Sequence, residues 1–253
     1  MTNRPKTCLE SSWQIATGPV PLPPDEVHVW RAELDVDPVA LRRLRETLSA
    51  DEQARAERFH APADRSRYIA GRGILRALLA SYLGARAGDL RFHSNAHGKP
   101  ALLPGSGTED LRFNLAHSHG RALFAFAVGR EVGVDLEYVE PARADHHLAE
   151  RFFSPQEVTM LRTLPESVQT DAFFHCWTRK EAYLKARGEG LGCGLARFTV
   201  SVTPSQQTDL LLESNDSAEA GRWSLRALAP GDGYVGAVAA EGKDWSLALW
   251  QWT

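Results

Sequence analysis

The sequence predicts an α+β protein built as two lobes of similar make-up, and three observations lead there. Apolar residues recur at helical spacing through two long segments, 64–83 and 171–186, each closed by a glycine, Gly84 and Gly188. Short apolar runs separated by Gly, Asn and Pro follow the first long helix and close the chain after the second. At 253 residues the chain is long enough for one large domain or two lobes of ordinary size.

Taken in order, residues 17–25 (TGPVPLPPD) form an extended lead-in, because proline biases the residue before it away from helix. Segment 27–34 reads as a strand and 38–48 as a helix. Ser49, with Glu52 three residues on, has capping-box spacing and opens a helix toward Phe59. The following pattern, with Ile69, Leu75, Leu78, Leu79 and Tyr82, is the strongest helix of the first half. Strands are expected at 90–93, 113–116, 123–128 and 133–138. After Pro141, Arg151-Phe152 precedes a helix and then the second long one, as Arg58-Phe59 precedes the first. Unequal spacing makes this a weak repeat. Strands at 198–202, 223–228, 234–239 and 246–250 close the chain, with a polar hairpin or loop at 214–221.

Composition narrows the function. Hydrophobic residues at 43% and charged residues at 24% describe a globular chain. A formal charge of −3 supplies no field to gather nucleic acid, so any phosphate site is local. Apolar runs such as 122–128 are too short to cross a bilayer. The first residues include Arg4, Lys6 and Glu10 without an apolar signal core, which predicts a cytoplasmic protein with no membrane partner. Cys8, Cys176 and Cys193 show no CxxC spacing, so neither a disulfide framework nor a thiolate zinc site is indicated.

Chemistry concentrates in a few stretches. In Gly133-Val-Asp-Leu-Glu137, strand alternation puts Asp135 and Glu137 on one face and Val134 and Leu136 on the other. Two adjacent carboxylates repel unless one is protonated or a hard divalent ion joins them, which makes a Mg²⁺ site the natural hypothesis. An isolated DxE is also what a strand with one solvated face looks like. Along the helix that carries WTRKEAYLK, Phe173, Trp177 and Leu184 form a stripe for the core, with Glu181 and Lys185 four apart beside it. That glutamate can ligate a metal or take a proton, and the lysine can meet phosphate oxygens; an ordinary surface pair has the same spacing. Lys99 and Pro100 sit in a stiffened turn and His117 ends a strand, where each can contact a phosphate or base. His117 and His119 lack a third ligand at suitable spacing, so a zinc site is discounted.

The series GKP, FNLAHS, GVDLE, RFFSPQE and WTRKEAYLKARGEGL, in this order, resembles the Sfp-type 4′-phosphopantetheinyl transferases from about residue 49 to 191. The resemblance implies two similar α+β lobes related by a pseudo-twofold, with the active site in the cleft between them. The boundary implied is near Gly129 and Arg130: residues 1–129 serve the adenosine and phosphate side of coenzyme A, and 130–253 carry the metal-binding and catalytic residues. It further implies that Asp135, Glu137 and Glu181 hold Mg²⁺ against the pyrophosphate, that Lys185 contacts that pyrophosphate, and that Glu181 and Lys185 are catalytic. His117 is implied at the phosphates of the adenosine end, Lys99 and Pro100 at the adenine, and Arg55 near the 3′-phosphate, with Arg72 as a further candidate. The chain departs from the family at Ala116, where many members have serine, and at Glu52, a basic position elsewhere; both touch on 3′-phosphate binding.

The implied activity is transfer of the phosphopantetheine arm of coenzyme A to a serine of an apo acyl or peptidyl carrier protein, releasing adenosine 3′,5′-bisphosphate. The implied enzyme is a monomer of broad carrier scope, of the kind that serves secondary metabolism. Two other classes use the same residues differently: a Mg²⁺-dependent phosphohydrolase of coenzyme A or a related nucleotide, and a catalytically silent binding module. Asp135, Glu137, Glu181 and Lys185 together argue against the last, since binding alone does not need that set.

Overall fold

The computed structural model describes residues 12–103, 105, 110–144, 146–189, 194–203, 207–208 and 217–253. Cys8, Cys193 and residues 214–216 of the expected polar loop lie outside them. The chain divides into two compact units, Gln14–Arg130 with Trp245–Thr253, and Glu131–Asp244 with Trp13. The fold is α+β, and each unit pairs a sheet with a helix of 22 residues.

In the first unit a five-stranded sheet runs in the order β1 (Gln14–Ile15), β11 (Ser246–Gln251), β2 (Glu26–Glu33), β6 (Arg121–Val128), β5 (Leu111–Ser118). The single cut expected after residue 129 is corrected at its far end. β11 pairs in parallel with β2, Leu249 opposite Val29, and so carries the last residues of the chain into the first unit. α1 (Pro38–Glu46) starts at Asp37, whose carboxylate accepts from the Val39 and Ala40 amides. α2 (Ala50–Ala56) starts at the Ser49–Glu52 capping box. α3 (Pro62–Leu83) ends where Gly84 turns left-handed at φ 61°. It buries Ile74, Leu75, Leu78 and Leu79 against Trp30, Phe124 and Phe126 of the sheet. α1 crosses α3 at Gly73, where a Cβ would come within 2.6 Å of Leu44 Cβ. A hairpin of β3 (Phe92–Ser94) and β4 (Pro100–Leu102) follows α3.

In the second unit an antiparallel sheet runs β7 (Val132–Tyr138), β10 (Tyr234–Glu241), β9 (Trp223–Leu228), β8 (Gln207–Thr208). α4 (His146–Phe152), α5 (Pro155–Thr163) and α6 (Glu166–Arg187) precede β8, and α7 (Ser217–Arg222) occupies the described part of the expected polar loop. Phe153, Phe173, Tyr183, Phe198 and Trp223 form the core. No helix among the described residues is long and apolar enough to cross a membrane.

Two sequence expectations are corrected. Segment 198–202 is not a ladder strand: Phe198 O accepts from Lys180 Nζ at 2.6 Å, the Val200 amide donates to Glu157 at 2.6 Å, and Arg179 Nη1 donates to Ser201 O at 2.6 Å. Its apolar alternation is real, but side chains of α5 and α6 satisfy backbone groups that a neighbouring strand otherwise takes. The Arg-Phe dipeptides are not equivalent either, since Arg58-Phe59 follows α2 whereas Arg151-Phe152 ends α4. What recurs is the capping box: Ser154 and Glu157 open α5 as Ser49 and Glu52 open α2.

Candidate active site

β7 and α6 bring the acidic motif and the lysine helix together within the second unit. Gly133 permits this: a Cβ there would lie 2.8 Å from Ala186 Cα and closer still to Ala182 O and Ala186 N. Helix and strand therefore touch backbone to backbone. Two residues along β7, on the same face, Asp135 is 5% exposed and accepts from Lys185 Nζ at 2.6 Å through Oδ1. Glu137 follows on that face, half-buried.

Glu181 is 9% exposed, which corrects the reading of Glu181 and Lys185 as a possible surface pair. α6 is buried nearly all round from Ala172 to Leu184, Arg179 and Lys180 included, rather than along one stripe. Burial first, then the neighbouring Asp135 charge, pushes the Glu181 carboxyl up to about 7; Lys185 counters this, and Glu137 adds to it. Asp135 Oδ2 and Glu181 Oε1 are buried without a hydrogen-bond partner. Such atoms are costly unless something cationic or a donor meets them, and an all-oxygen carboxylate set suits a hard divalent cation. The donors are not gathered in advance: among the described residues no three His, Cys, Asp or Glu side chains form a metal-binding group.

The other expected residues lie in the first unit around a cavity of about 720 Å³. Arg55 from α2, Arg72 from α3, Pro100 from the β3–β4 hairpin and His117 from β5 all line it. Lys99 lies in the hairpin turn, where its amide and that of His97 each donate to Asn95 Oδ1 at 2.9 Å, and it is not a lining residue. Period two along β5 sends Leu115 and His117 to the cavity and leaves Ala116 buried on the opposite face, so that departure does not alter the cavity wall. Glu52 does: it accepts from Arg72 Nε at 2.6 Å and from Arg76 Nε at 2.6 Å. Burial alone would raise its pKa, but Arg72, the Ser49 amide and Arg76 outweigh this and hold it low. Both guanidiniums also stack over Phe92, Arg72 at 4.9 Å and Arg76 at 5.0 Å from the ring centre.

Two family models match this chain in succession. Residues 37–128 match the 4′-phosphopantetheinyl transferase N-terminal model, and residues 131–239 match the 4′-phosphopantetheinyl transferase superfamily model. The transferase HetI of Nostoc sp. is 41% identical over 244 residues, covering 96% of this chain and 100% of the relative. The chain belongs to the 4′-phosphopantetheinyl transferase family. The transferase Sfp of Bacillus subtilis is 29% identical over 177 residues, covering 69% of this chain and 75% of that one. A solved Chronobacterium ammoniagenes ACPS-CoA complex overlaps 45% of this chain and 96% of its own at 22% identity and a TM-score of 0.35.

Sequence reasoning missed several residues that shape this transferase. Lys180, beside Glu181, is fully buried and donates to Glu157 Oε1 at 2.7 Å; burial draws its pKa down and Glu157 offsets part of that. Glu157 also closes its capping box at the Ser154 amide, 2.7 Å away, and Ser154 Oγ accepts from Thr199 at 2.9 Å. The signal was present, because Ser-x-x-Glu occurs in RFFSPQE as well as at Ser49. Gly133 gave no such signal: a glycine in a strand does not say which backbone approaches it.

Proposed function

We propose that this transferase moves the phosphopantetheine arm of coenzyme A to a serine of an apo acyl or peptidyl carrier protein, with Mg²⁺ held by Asp135, Glu137 and Glu181. The observation that carries the reading is the pair of buried, unpartnered oxygens, Asp135 Oδ2 and Glu181 Oε1, beside the Lys185 ammonium. In the reaction the serine Oγ bonds to the β-phosphorus of coenzyme A, the bond from that phosphorus to the bridging oxygen breaks, and adenosine 3′,5′-bisphosphate leaves. A divalent cation supplies, when bound, charge neutralisation for phosphate oxygens. Lys185 meets the pyrophosphate as a point charge, and Glu181 combines a ligand oxygen with the capacity to accept the serine proton. Arg55, Arg72, Lys99, Pro100 and His117 are assigned to the adenosine end of coenzyme A, where the cavity's guanidiniums and aromatic rings suit phosphate and base.

Mass spectrometry of apo carrier proteins incubated with coenzyme A and Mg²⁺ tests this. A gain of the phosphopantetheine mass is expected, lost in Asp135→Asn. Release of free phosphopantetheine without carrier would replace transfer by hydrolysis. Glu181→Gln separates the two roles of that residue in single-turnover transfer: rescue by raised Mg²⁺ marks a ligand, and a low rate at saturating Mg²⁺ marks a base.

A further inference from the structure

We propose that Lys185 is the built-in counter-cation of the carboxylate set, so that a divalent cation reaches Asp135 by displacing the Lys185 ammonium. Coenzyme A assists by offering that ammonium a pyrophosphate. The inference rests on the reading above that Asp135, Glu137 and Glu181 are metal ligands. It goes beyond that reading by making the lysine a competitor of the metal as well as a phosphate contact, and so by setting how the two ligands bind.

The geometry sets the two cations in competition for one carboxylate. Lys185 Nζ stands 2.6 Å from Asp135 Oδ1, the distance of a full charge-assisted hydrogen bond, and a divalent cation at the unpartnered Oδ2 would share the same carboxylate charge with it. The ammonium and a divalent cation also repel strongly at such separations in a partly buried setting. The second carboxylate oxygen, Asp135 Oδ2, and Glu181 Oε1 have no partner, so the lysine satisfies only part of the acidic set. The lysine can leave cheaply. Its side chain is 31% exposed against 6% for Asp135, and its long stem can swing the charge outward while α6 stays in place. Displacing it toward solvent alone costs an ion pair; displacing it onto a pyrophosphate replaces that pair with another. Metal and coenzyme A must then favour one another's binding, equally in both directions.

Mn²⁺ binding, read by calorimetry and by the paramagnetic resonance of the free ion, tests the exchange without turnover. Lys185→Met is expected to raise Mn²⁺ affinity without coenzyme A about tenfold, and to shrink the gain in Mn²⁺ affinity that coenzyme A produces in the wild type. Lys185→Gln gives the same readout should Lys185→Met fold poorly by circular dichroism. Arg187→Met, two residues on, removes an equal charge that pairs with Glu189 and Glu219, so it is expected to change Mn²⁺ affinity less than about twofold. An unchanged or lowered affinity in both lysine variants, or an equal rise in Arg187→Met, overturns the exchange and leaves the ligand assignment standing if Asp135→Asn weakens Mn²⁺ binding tenfold or more. Mn²⁺ binding indifferent to Asp135→Asn overturns the ligand assignment and the exchange together.

Discussion

Each unit of this transferase opens a short helix with a Ser-x-x-Glu capping box and turns the glutamate onto a cation of its 22-residue helix. In the first unit Glu52 holds Arg72, whose side chain is 15% exposed, and the buried Arg76, and all three line the cavity. In the second, Glu157 and Lys180 are both wholly buried, and their remaining capacity goes to the Phe198 carbonyl and the Val200 amide. One local device thus does two jobs. Where a charge keeps a path to solvent it can also meet a ligand; where it is sealed, its worth is structural, because a buried ion left alone is costly.

The sharpest way to break this comparison is Lys180→Met. It strands the Glu157 carboxylate and the Phe198 carbonyl inside the core, and a loss of about 3 to 5 kcal/mol is expected in chemical unfolding. Adding Glu157→Gln should recover much of that, and a loss under about 1 kcal/mol would remove the distinction between the units.

The buried histidines extend the contrast to pH. His28 in the first unit has its ring nitrogens 2.9 Å from the Tyr82 hydroxyl and 2.9 Å from Glu26. His175 in the second has Nδ1 without a partner; burial first and Arg179 second lower its pKa to about 4. A histidine held neutral when folded takes up its proton more readily unfolded. Stability is therefore lost as pH falls from the ordinary value of 6.5 toward about 4, by at most about 3 kcal/mol. His175→Gln should flatten that acid limb of the stability profile, and an unchanged limb would place the acid sensitivity elsewhere.

Glu52→Gln is the counterpart of Lys180→Met and is expected to cost less, about 1.5 to 3 kcal/mol. Arg76 keeps the Ala87 and Leu90 carbonyls, and Arg72 can turn toward the cavity. Coenzyme A binding by the folded variant should hold or tighten; a stability loss matching that of Lys180→Met would show the two networks to be equivalent.

Arg55→Met is the smallest in stability. Arg55 is exposed, with its guanidinium over the Tyr68 ring, 5.7 Å from its centre, so the change in unfolding free energy should stay within about 0.5 kcal/mol. Affinity for coenzyme A is expected to fall about tenfold, and for a 3′-dephospho analogue by less, as about 1.5 to 3 kcal/mol for a charge-assisted bond implies. Equal losses for the two ligands would move Arg55 away from the 3′-phosphate.

Much of the architecture was legible because it is local. Helical spacing and the glycines at 84 and 188 fixed both long helices, and period-two alternation put Asp135 and Glu137 on one face of β7. Such patterns depend on neighbours a few residues away, and those are written in the chain. The stretch 198–202 shows the limit: its alternation suits a strand, yet Glu157, Arg179 and Lys180 arrive from far along the chain and take its backbone groups.

Only the tertiary structure decided which elements meet and what each charge faces. The sequence by itself determined the two-lobed α+β class, the positions of the acidic strand and the lysine helix, and the chemical types available for phosphate and metal. It did not determine that β11 returns to the first unit, that Glu181 is largely buried, or that Lys185 pairs with Asp135 rather than with a neighbour on its own helix. Those outcomes follow from backbone approach, such as that of β7 to α6 at Gly133, and from burial, which changes the worth of a charge far more than its place in the chain does.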